Sequence, residues 1–420
     1  MLKIRADATM RKTVAELDGR PAVWPAAVVL LALSAFLVRI VIFAHSRGGN
    51  DLRMYTYFSR LPLHGINPFA SPRNGFFPPV DGNNPPLEVA AFAGLLAIHD
   101  SPTTLRVLFA VADAGVICRI GLCYPRSKRW RLAFLLFYAF NPFVLFSWTA
   151  FSEDKTILFL GIAAWILALE RGREWGAWAA ATALTVSKFL GAFAAPVLAL
   201  YSFRRSGRRA LLPITTAIVV FLASNLPWFP RSLDAFSRRD TRLAFNSPIH
   251  ASPTLLLARL GLYAPVEAKL LTAAGIAAVF AFFAVRWIDV RDAVVWSVLA
   301  GYVFLPDDAF NRLLLITLPF MLILEFSAGQ WVAVWVFSCI AALAGVVATR
   351  GVPHALLPFD GVLRGLFARE GTVRHVLWMN LLPATVIAFY AANNRARRRS
   401  KASLTTADAQ AEPSTMAPQF

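Results

Sequence analysis

Apolar residues in this chain come in long unbroken runs, not at the alternating spacing of a half-buried strand or the three-and-four spacing of a one-sided helix. A run needs roughly 17 to 25 residues to span a hydrocarbon core of about 30 Å. Segments 24–45, 103–122, 132–150, 210–228, 264–285 and 330–349 reach that length, and 155–169, 291–305, 311–326 and 376–392 are shorter candidates. Two further apolar stretches break the pattern. Residues 87–99 give only a short helix, and 174–201 is interrupted at its centre by Ser187 and Lys188. The pattern predicts an all-α, polytopic transmembrane helical protein, with about ten full spans plus short re-entrant or interfacial helices.

Composition agrees with that reading. Of 420 residues 57% are hydrophobic and 16% charged, against roughly 45 to 50% and 25% in a soluble domain. A secreted disulfide module, a disordered chain and a collagen-like fibre are excluded. Cys118, Cys123 and Cys339 lie in or at the ends of apolar stretches, too few and too scattered for a disulfide framework or a zinc site, and read as packing residues. Lys and Arg number 42 against 24 Asp and Glu, a formal charge of +18. In a soluble chain that surplus suggests nucleic acid; in a membrane protein it marks cytoplasmic loops, so no nucleic-acid partner is expected.

The basic clusters then constrain topology. Residues 1–21 carry Lys3, Arg5, Arg11, Lys12 and Arg20 ahead of an apolar segment longer than a signal-peptide core, as in a signal anchor with a cytoplasmic N-terminus. Arg126, Lys128, Arg129 and Arg131 form a second cluster, Arg204, Arg205, Arg208 and Arg209 a third, and Arg395, Arg397, Arg398, Arg399 and Lys401 a fourth. All are cytoplasmic only if 87–99 does not cross and 174–201 is a hairpin entering and leaving on the same side. The division expected is a cytoplasmic N-terminus (1–21), a transmembrane domain (22–393) with external loops 46–86, 227–262 and 350–375, and a tail (394–420) that is basic and then disordered. Residues 402–420 are rich in Ala, Thr, Ser, Pro and Gln. No retention signal ends the chain, which favours a bacterial plasma membrane over endoplasmic reticulum.

This topology gathers Asp51, Glu153, Asp154, the loop 227–253, Asp307 and Asp308 on the external face, with Lys188 at the hairpin tip pointing towards them. A charge at membrane depth costs roughly 2.5 to 3.5 kcal/mol, so Lys188 calls for an acid or a wet cavity. Around 51–62, Leu52, Tyr55 and Phe58 group on one face, as in a helix lying in the interface. Asp51 reads either as that helix's cap or as a carboxylate at a cavity mouth. Glu153 and Asp154 read as dipole-complementing acids at a helix start or as site residues, and Asp307 and Asp308 as caps or supporting acids. Arg238, Arg239, Asp240 and Arg242 form either a solvated loop or, against the positive-inside bias, a phosphate grip. Segment 350–375, with Leu356, Leu357, Phe359 and Phe367 interleaved with Arg364 and Arg369, reads as a surface helix, whether a cover over the cavity, an acceptor contact or interfacial packing.

The succession of "NNPPLE" (Asn83 to Glu88), "NPFVLF" (Asn141 to Phe146), "SED" (Ser152 to Asp154), "SKF" (Ser187 to Phe189) and "RRDTRLAFNSP" (Arg238 to Pro248) after a first span and a long acidic-headed loop resembles the GT-C superfamily of membrane glycosyltransferases. It is most similar to the GPI mannosyltransferase I catalytic subunit and its prokaryotic polyprenyl-phosphate-mannose-dependent relatives. The resemblance runs discontinuously over about 45–320. It implies transfer of a hexose, mannose in that family, from a polyprenyl-phosphate donor in the membrane lipid to a hydroxyl of a glycolipid or polysaccharide acceptor on the external face. It also leaves room for a small membrane partner subunit. The family's first loop carries Asp-x-Asp, whereas Gly49, Asn50 and Asp51 stand here, so a divalent metal has no support and no metal ligand is assigned.

Such chemistry needs little. Phosphate leaves without a proton, so one base suffices, with inversion at the anomeric carbon. Asp51 is the first candidate and Asp154 the second. Lys188, Arg238, Arg239 and Arg242 are the cations for the donor phosphate, and Glu153, Asp240, Asn246, Asp307 and Asp308 are supporting residues. No Gly-rich phosphate loop opens a helix, consistent with a reaction that needs no nucleotide cofactor. A lipid flippase or transporter, and a non-catalytic accessory subunit of envelope glycoconjugate assembly, are the alternatives. Arg239→Ala is expected to raise the donor requirement or lower the rate steeply; an unchanged donor profile returns the arginines to a solvated loop.

Overall fold

A computed structural model describes residues 23–69, 85–231, 265–303, 309–350, 358–367 and 373–411. Among them every regular element is helical. In chain order they are α1 Val23–His45, α2 Asn50–Arg60, α3 Pro86–Ile98, α4 Pro102–Cys123, α5 Lys128–Phe140, α6 Pro142–Ala150 and α7 Lys155–Glu170. There follow α8 Glu174–Lys188, α9 Ala195–Ser206, α10 Leu211–Asn225, α11 Pro265–Ala284, α12 Val290–Val303, α13 Ala309–Ile323, α14 Ala328–Arg350, α15 Asp360–Phe367 and α16 Val373–Ala411. Helices thus stand at each segment where the apolar runs place one.

Among the described residues four runs are long and apolar enough to cross a membrane: Val23–His45, Leu190–Trp228, Ala328–Val347 and Val376–Arg395. The pair α5 and α6 makes a fifth if taken as one bent span. These are the helices of a membrane-embedded protein. On α1 the side chains of Leu30, Leu33, Leu37 and Val41 are all exposed, a stripe at helical spacing that a lipid environment accommodates without cost. The remaining helices are shorter or more charged; α4 carries Arg106, Asp113 and Arg119.

Two sequence expectations change. The predicted single run 132–150 is bent by 41° between α5 and α6. Pro142 has no N–H to donate back, and the Asn141 side chain accepts from the Phe143 N–H at 2.9 Å, capping a new helix start. Within the segment 402–420 expected to be disordered, α16 continues to Ala411, and 412–420 lie outside the described residues. Residues 402–411 extend an already nucleated helix and hold no Gly or Pro, so each adds a hydrogen bond without a new nucleation cost.

Charged side chains sort to the two ends of the bundle. At one end, Glu170 closes α7 and meets Arg291 at 3.0 Å and Arg126 at 3.5 Å, while Arg291 also faces Asp289 and Asp292. Tyr390 donates to Asp292 at 2.6 Å, Trp130 to the Leu324 carbonyl at 2.9 Å, and Arg204 to the carbonyls that end α11. The loops bearing the Arg126, Arg204 and Arg395 clusters therefore share this end. The other end holds Lys155, the first residue of α7, roughly 22 Å away along that helix.

The two departures from the run pattern are resolved by the same sorting. Helix α3 begins beside Lys188, with Glu88 3.4 Å from its amine, and ends at the start of α4, where Arg60 meets Asp100 at 2.6 Å. Both of its termini lie at the Lys155 end. Helices α8 and α9 pair antiparallel, Trp178 donating to Ser202 at 2.9 Å and Ser206 to Glu174 at 3.1 Å. The hairpin is as deep as α7 itself, since Lys188 reaches the level of Asp154.

Between the ends lies one buried ion pair. Arg39 of α1, fully buried, donates through Nε to Asp113 of α4, whose other oxygen accepts from the Tyr138 hydroxyl of α5. Its remaining donors reach the carbonyls of Ala35 and Ala139, each at 3.2 Å. This staple joins three helices where apolar surfaces alone have little preference for one another over lipid. Asp113→Ala is expected to cost about 3 to 5 kcal/mol by leaving Arg39 unpaired, with the double change Arg39→Met and Asp113→Leu recovering most of it. Thermal melts in detergent check this; equal melting of Asp113→Ala and wild type refutes it.

Candidate functional site

Helix α2 starts after Gly48, whose φ of 75° is left-handed, and Gly49, whose N–H donates to the Phe151 carbonyl at 2.7 Å. A Cβ on Gly49 would stand 3.0 Å from that carbonyl oxygen and 3.1 Å from the Phe151 ring. At the position where an Asp-x-Asp pattern needs its first acid, any side chain would press on Phe151 and require it to shift by a few tenths of an ångström. The N-cap is Gly49 and no side chain caps the helix, so Asp51 does not serve as a cap. The face expected to lie in the interface is covered by protein: Leu52 and Tyr55 pack with Phe92 and Leu96 of α3 and with Leu105 and Phe109 of α4. The Tyr55 ring sits 5.7 Å from Phe92 and 6.3 Å from Phe109.

The "SED" segment is set by an unusual local fold. Leu145–Ala150 winds as a π-helix, a wider turn frequently found at functional sites. Ser152 follows with φ at 59°, a left-handed conformation rare for a residue with a side chain, fixed by its N–H on the Thr149 carbonyl at 3.0 Å. The reversal turns Glu153 and Asp154 inward; both are 1% exposed, and Asp154 precedes α7 without capping it. The reading of these acids as helix-start residues alone does not hold.

Four carboxyls and two amines meet here. Lys155 donates to Asp154 at 2.7 Å and Glu153 at 2.9 Å, and faces Asp51 at 3.4 Å. Lys188, at the hairpin tip, lies 3.1 Å from the second oxygen of Asp154 and 3.4 Å from Glu88. The Tyr55 hydroxyl donates to Asp154 at 2.8 Å and stands 3.2 Å from Asp51, and its ring carries the Lys188 amine at 5.2 Å. The hairpin reverses on Phe189, itself left-handed at φ 58°, which leaves Lys188 at the turn.

Burial and charge pull the acids apart. Burial pushes Asp51 up, but Lys155 and a hydrogen bond from Glu153 hold it below the ordinary carboxylate range. Burial is likewise overcome at Asp154, by Lys155 and Lys188, which hold it well below that range. At Glu153 burial and the neighbouring Asp51 charge win, and the carboxyl stays well above. Glu88 is likewise held well above by burial, so Glu153 and Glu88 are the members that keep a proton, Glu153 donating to an ionised Asp51. Access differs too: the Asp51 side chain is 15% exposed, against 1% for Asp154 and 2% for Glu153.

Of the residues singled out in the sequence, Asp51, Glu153, Asp154 and Lys188 come together. Lys188, expected to hold phosphate, already faces two carboxyls. Arg238, Arg239, Asp240, Arg242, Asn246, Asp307 and Asp308 lie outside the described residues, as do Asn83 and Asn84. Tyr55, Glu88 and Lys155 were not assigned a role. For Lys155 a signal existed, since a cation in the first helical turn opposes the helix dipole and needs a local reason. For Tyr55 the four-residue spacing from Asp51 was the only hint. Among the described residues no group of three or more metal-ligating side chains is arranged for an ion.

The pH dependence of stability follows. A carboxyl raised in the fold keeps a proton that the unfolded chain releases near pH 4.3, so its contribution is lost as pH rises above that value. Asp51 and Asp154 act oppositely, stabilising above the ordinary range and losing that stability as pH falls below it. Glu153→Gln, fixed in the neutral state, is expected to match wild type in acid and exceed it increasingly between roughly pH 5 and 8. Melting temperatures across that range check it; a constant offset refutes it.

In comparisons with known proteins, no family model matches this chain and no curated protein matches it.

Proposed function

We propose that this protein is a membrane glycosyltransferase of GT-C type with about ten spans, moving a hexose, mannose by the sequence resemblance, from a polyprenyl-phosphate donor to a hydroxyl acceptor. The carboxyl-rich end faces outside, the basic loops and both termini face the cytoplasm, and the membrane is a bacterial plasma membrane. One observation carries the reading. Within a buried cluster of carboxyls, Asp51 alone combines an ionised state with access from outside, which are the two properties a general base needs.

Asp51 removes the acceptor proton as the new bond forms at C1, with inversion. Asp154, its oxygens taken by Tyr55, Lys155 and Lys188, orients these groups and does not itself meet the acceptor. Lys188, the more open amine at 19% exposure, turns towards the donor phosphate, joined by Arg238, Arg239 and Arg242 from the following loop, with Asp240 orienting the arginines. Asn246, Asp307 and Asp308 support that side. Fixed cations beside a phosphate gaining charge count most where water is scarce. A single base agrees with Gly49, which leaves one acid where two would bind a metal, and no step is routed through one.

Asp51→Asn is expected to abolish transfer of radiolabelled mannose from polyprenyl-phosphate mannose to an envelope-lipid extract, with expression and donor binding intact. Full activity in that variant removes Asp51 as the base. A wild-type protein that moves donor lipid across vesicles and forms no glycoside favours a transporter instead.

A further inference from the structure

We infer that the Tyr55 hydroxyl relays the acceptor's proton inward from Asp51 to Asp154, and that Lys188 hands a proton on to the departing lipid phosphate. The inference rests on the transferase reading and deepens it. Transfer leaves two ends of the site out of balance: Asp51 has gained a proton, and the released phosphate has gained negative charge. A route between them exists in the geometry.

Tyr55 stands between the two aspartates, 3.2 Å from Asp51 and donating to Asp154 at 2.8 Å. The shorter contact is the one to Asp154, and with its hydrogen given there the Tyr55 oxygen offers a lone pair towards a protonated Asp51. The far oxygen of Asp154 lies 3.1 Å from the Lys188 amine. The balance closes. The acceptor O–H and the bond from C1 to the phosphate oxygen break, and the acceptor O–C1 bond forms. Asp51 passes its proton to the Tyr55 oxygen as Tyr55 gives its own to the near oxygen of Asp154. Lys188 gives a proton to the phosphate and regains one from Asp154 once the carboxylic proton has moved to the oxygen facing the amine, and the Tyr55 hydrogen turns back towards Asp154. Every side chain ends as it began.

The surroundings keep the phenol neutral through the transfer. Tyr55 faces Asp51 on its own helix, Glu88 on α3, Glu153 and Asp154 in the loop before α7, Lys155 at 3.3 Å, and Lys188 over its ring. Burial and then the Asp154 and Asp51 charges push its hydroxyl well above the ordinary phenol value, so the two proton shifts are concerted and no phenolate accumulates. Phe92 and Phe109 fix the ring against rotation out of line.

The full-length protein in membranes, given radiolabelled polyprenyl-phosphate mannose and an envelope-lipid extract, tests the relay through Tyr55→Phe, which keeps the ring and removes the hydroxyl. Expected is a fall in kcat of about 100-fold with donor KM within about twofold, and recovery in proportion to added sodium azide, a small base that carries the stranded proton from Asp51. Wild-type rate should not respond to azide. An unchanged rate in Tyr55→Phe, or a loss that azide does not restore, overturns the relay; azide cannot repair a misfolded variant, so the readout separates relay from packing. A wild-type protein without transfer activity overturns the transferase reading and the relay with it, whereas active wild type with unaffected Tyr55→Phe overturns the relay alone.

Discussion

Lys155 is the group around which one end of this molecule is arranged. Its ammonium is almost fully buried and is within 3.4 Å of three carboxyls, an environment in which neither sign of charge could be left alone. The strained turn at Ser152, the close approach of Gly49 to Phe151 and the placement of Tyr55 all serve to complete that shell. Two amines against four carboxyls leave an acidic surplus that the fold settles by keeping Glu153 and Glu88 protonated, while Asp51 remains ionised and is more exposed than the other carboxyls of the cluster.

The rest of the bundle holds that end at a fixed distance from its opposite. Helix α7 begins with Lys155 and finishes with Glu170, so two ionic layers are separated by one helix length of apolar packing. In lipid, apolar contacts do little to choose between one helix arrangement and another. The polar contacts that do choose are few: the Arg39, Asp113 and Tyr138 staple, the Asn141 side chain donating to Ser338 at 2.6 Å, and the two end layers. Register between helices is set by these, and the aromatic stacks around Trp130, Phe134 and Tyr138 fill the space they define.

Much of this was legible in the chain. Long apolar runs placed the helices because length and hydropathy are local properties, and the acids at 51, 153 and 154 and the lysine at 188 stood out because charge near or within apolar sequence is costly. Arg39 and Asp113 were passed over for the opposite reason. Arg39 is the one Lys, Arg, Asp or Glu of its run and Asp113 the one acid of a run that also holds Arg106 and Arg119, and only their meeting across α1 and α4 makes either acceptable. Glu88 and Tyr55 were likewise ordinary members of a first turn and an amphipathic face until α3 and α2 were brought against α8.

The sequence alone determined an all-helical membrane protein with basic loops sorted from acidic ones, since apolar length and charge sign act residue by residue. Tertiary structure decided which carboxylates share a site, which of them is open to water, and which keeps a proton. Those properties depend on distances between residues up to 137 positions apart, Asp51 to Lys188, and on a dielectric environment that exists only once the helices have closed around them.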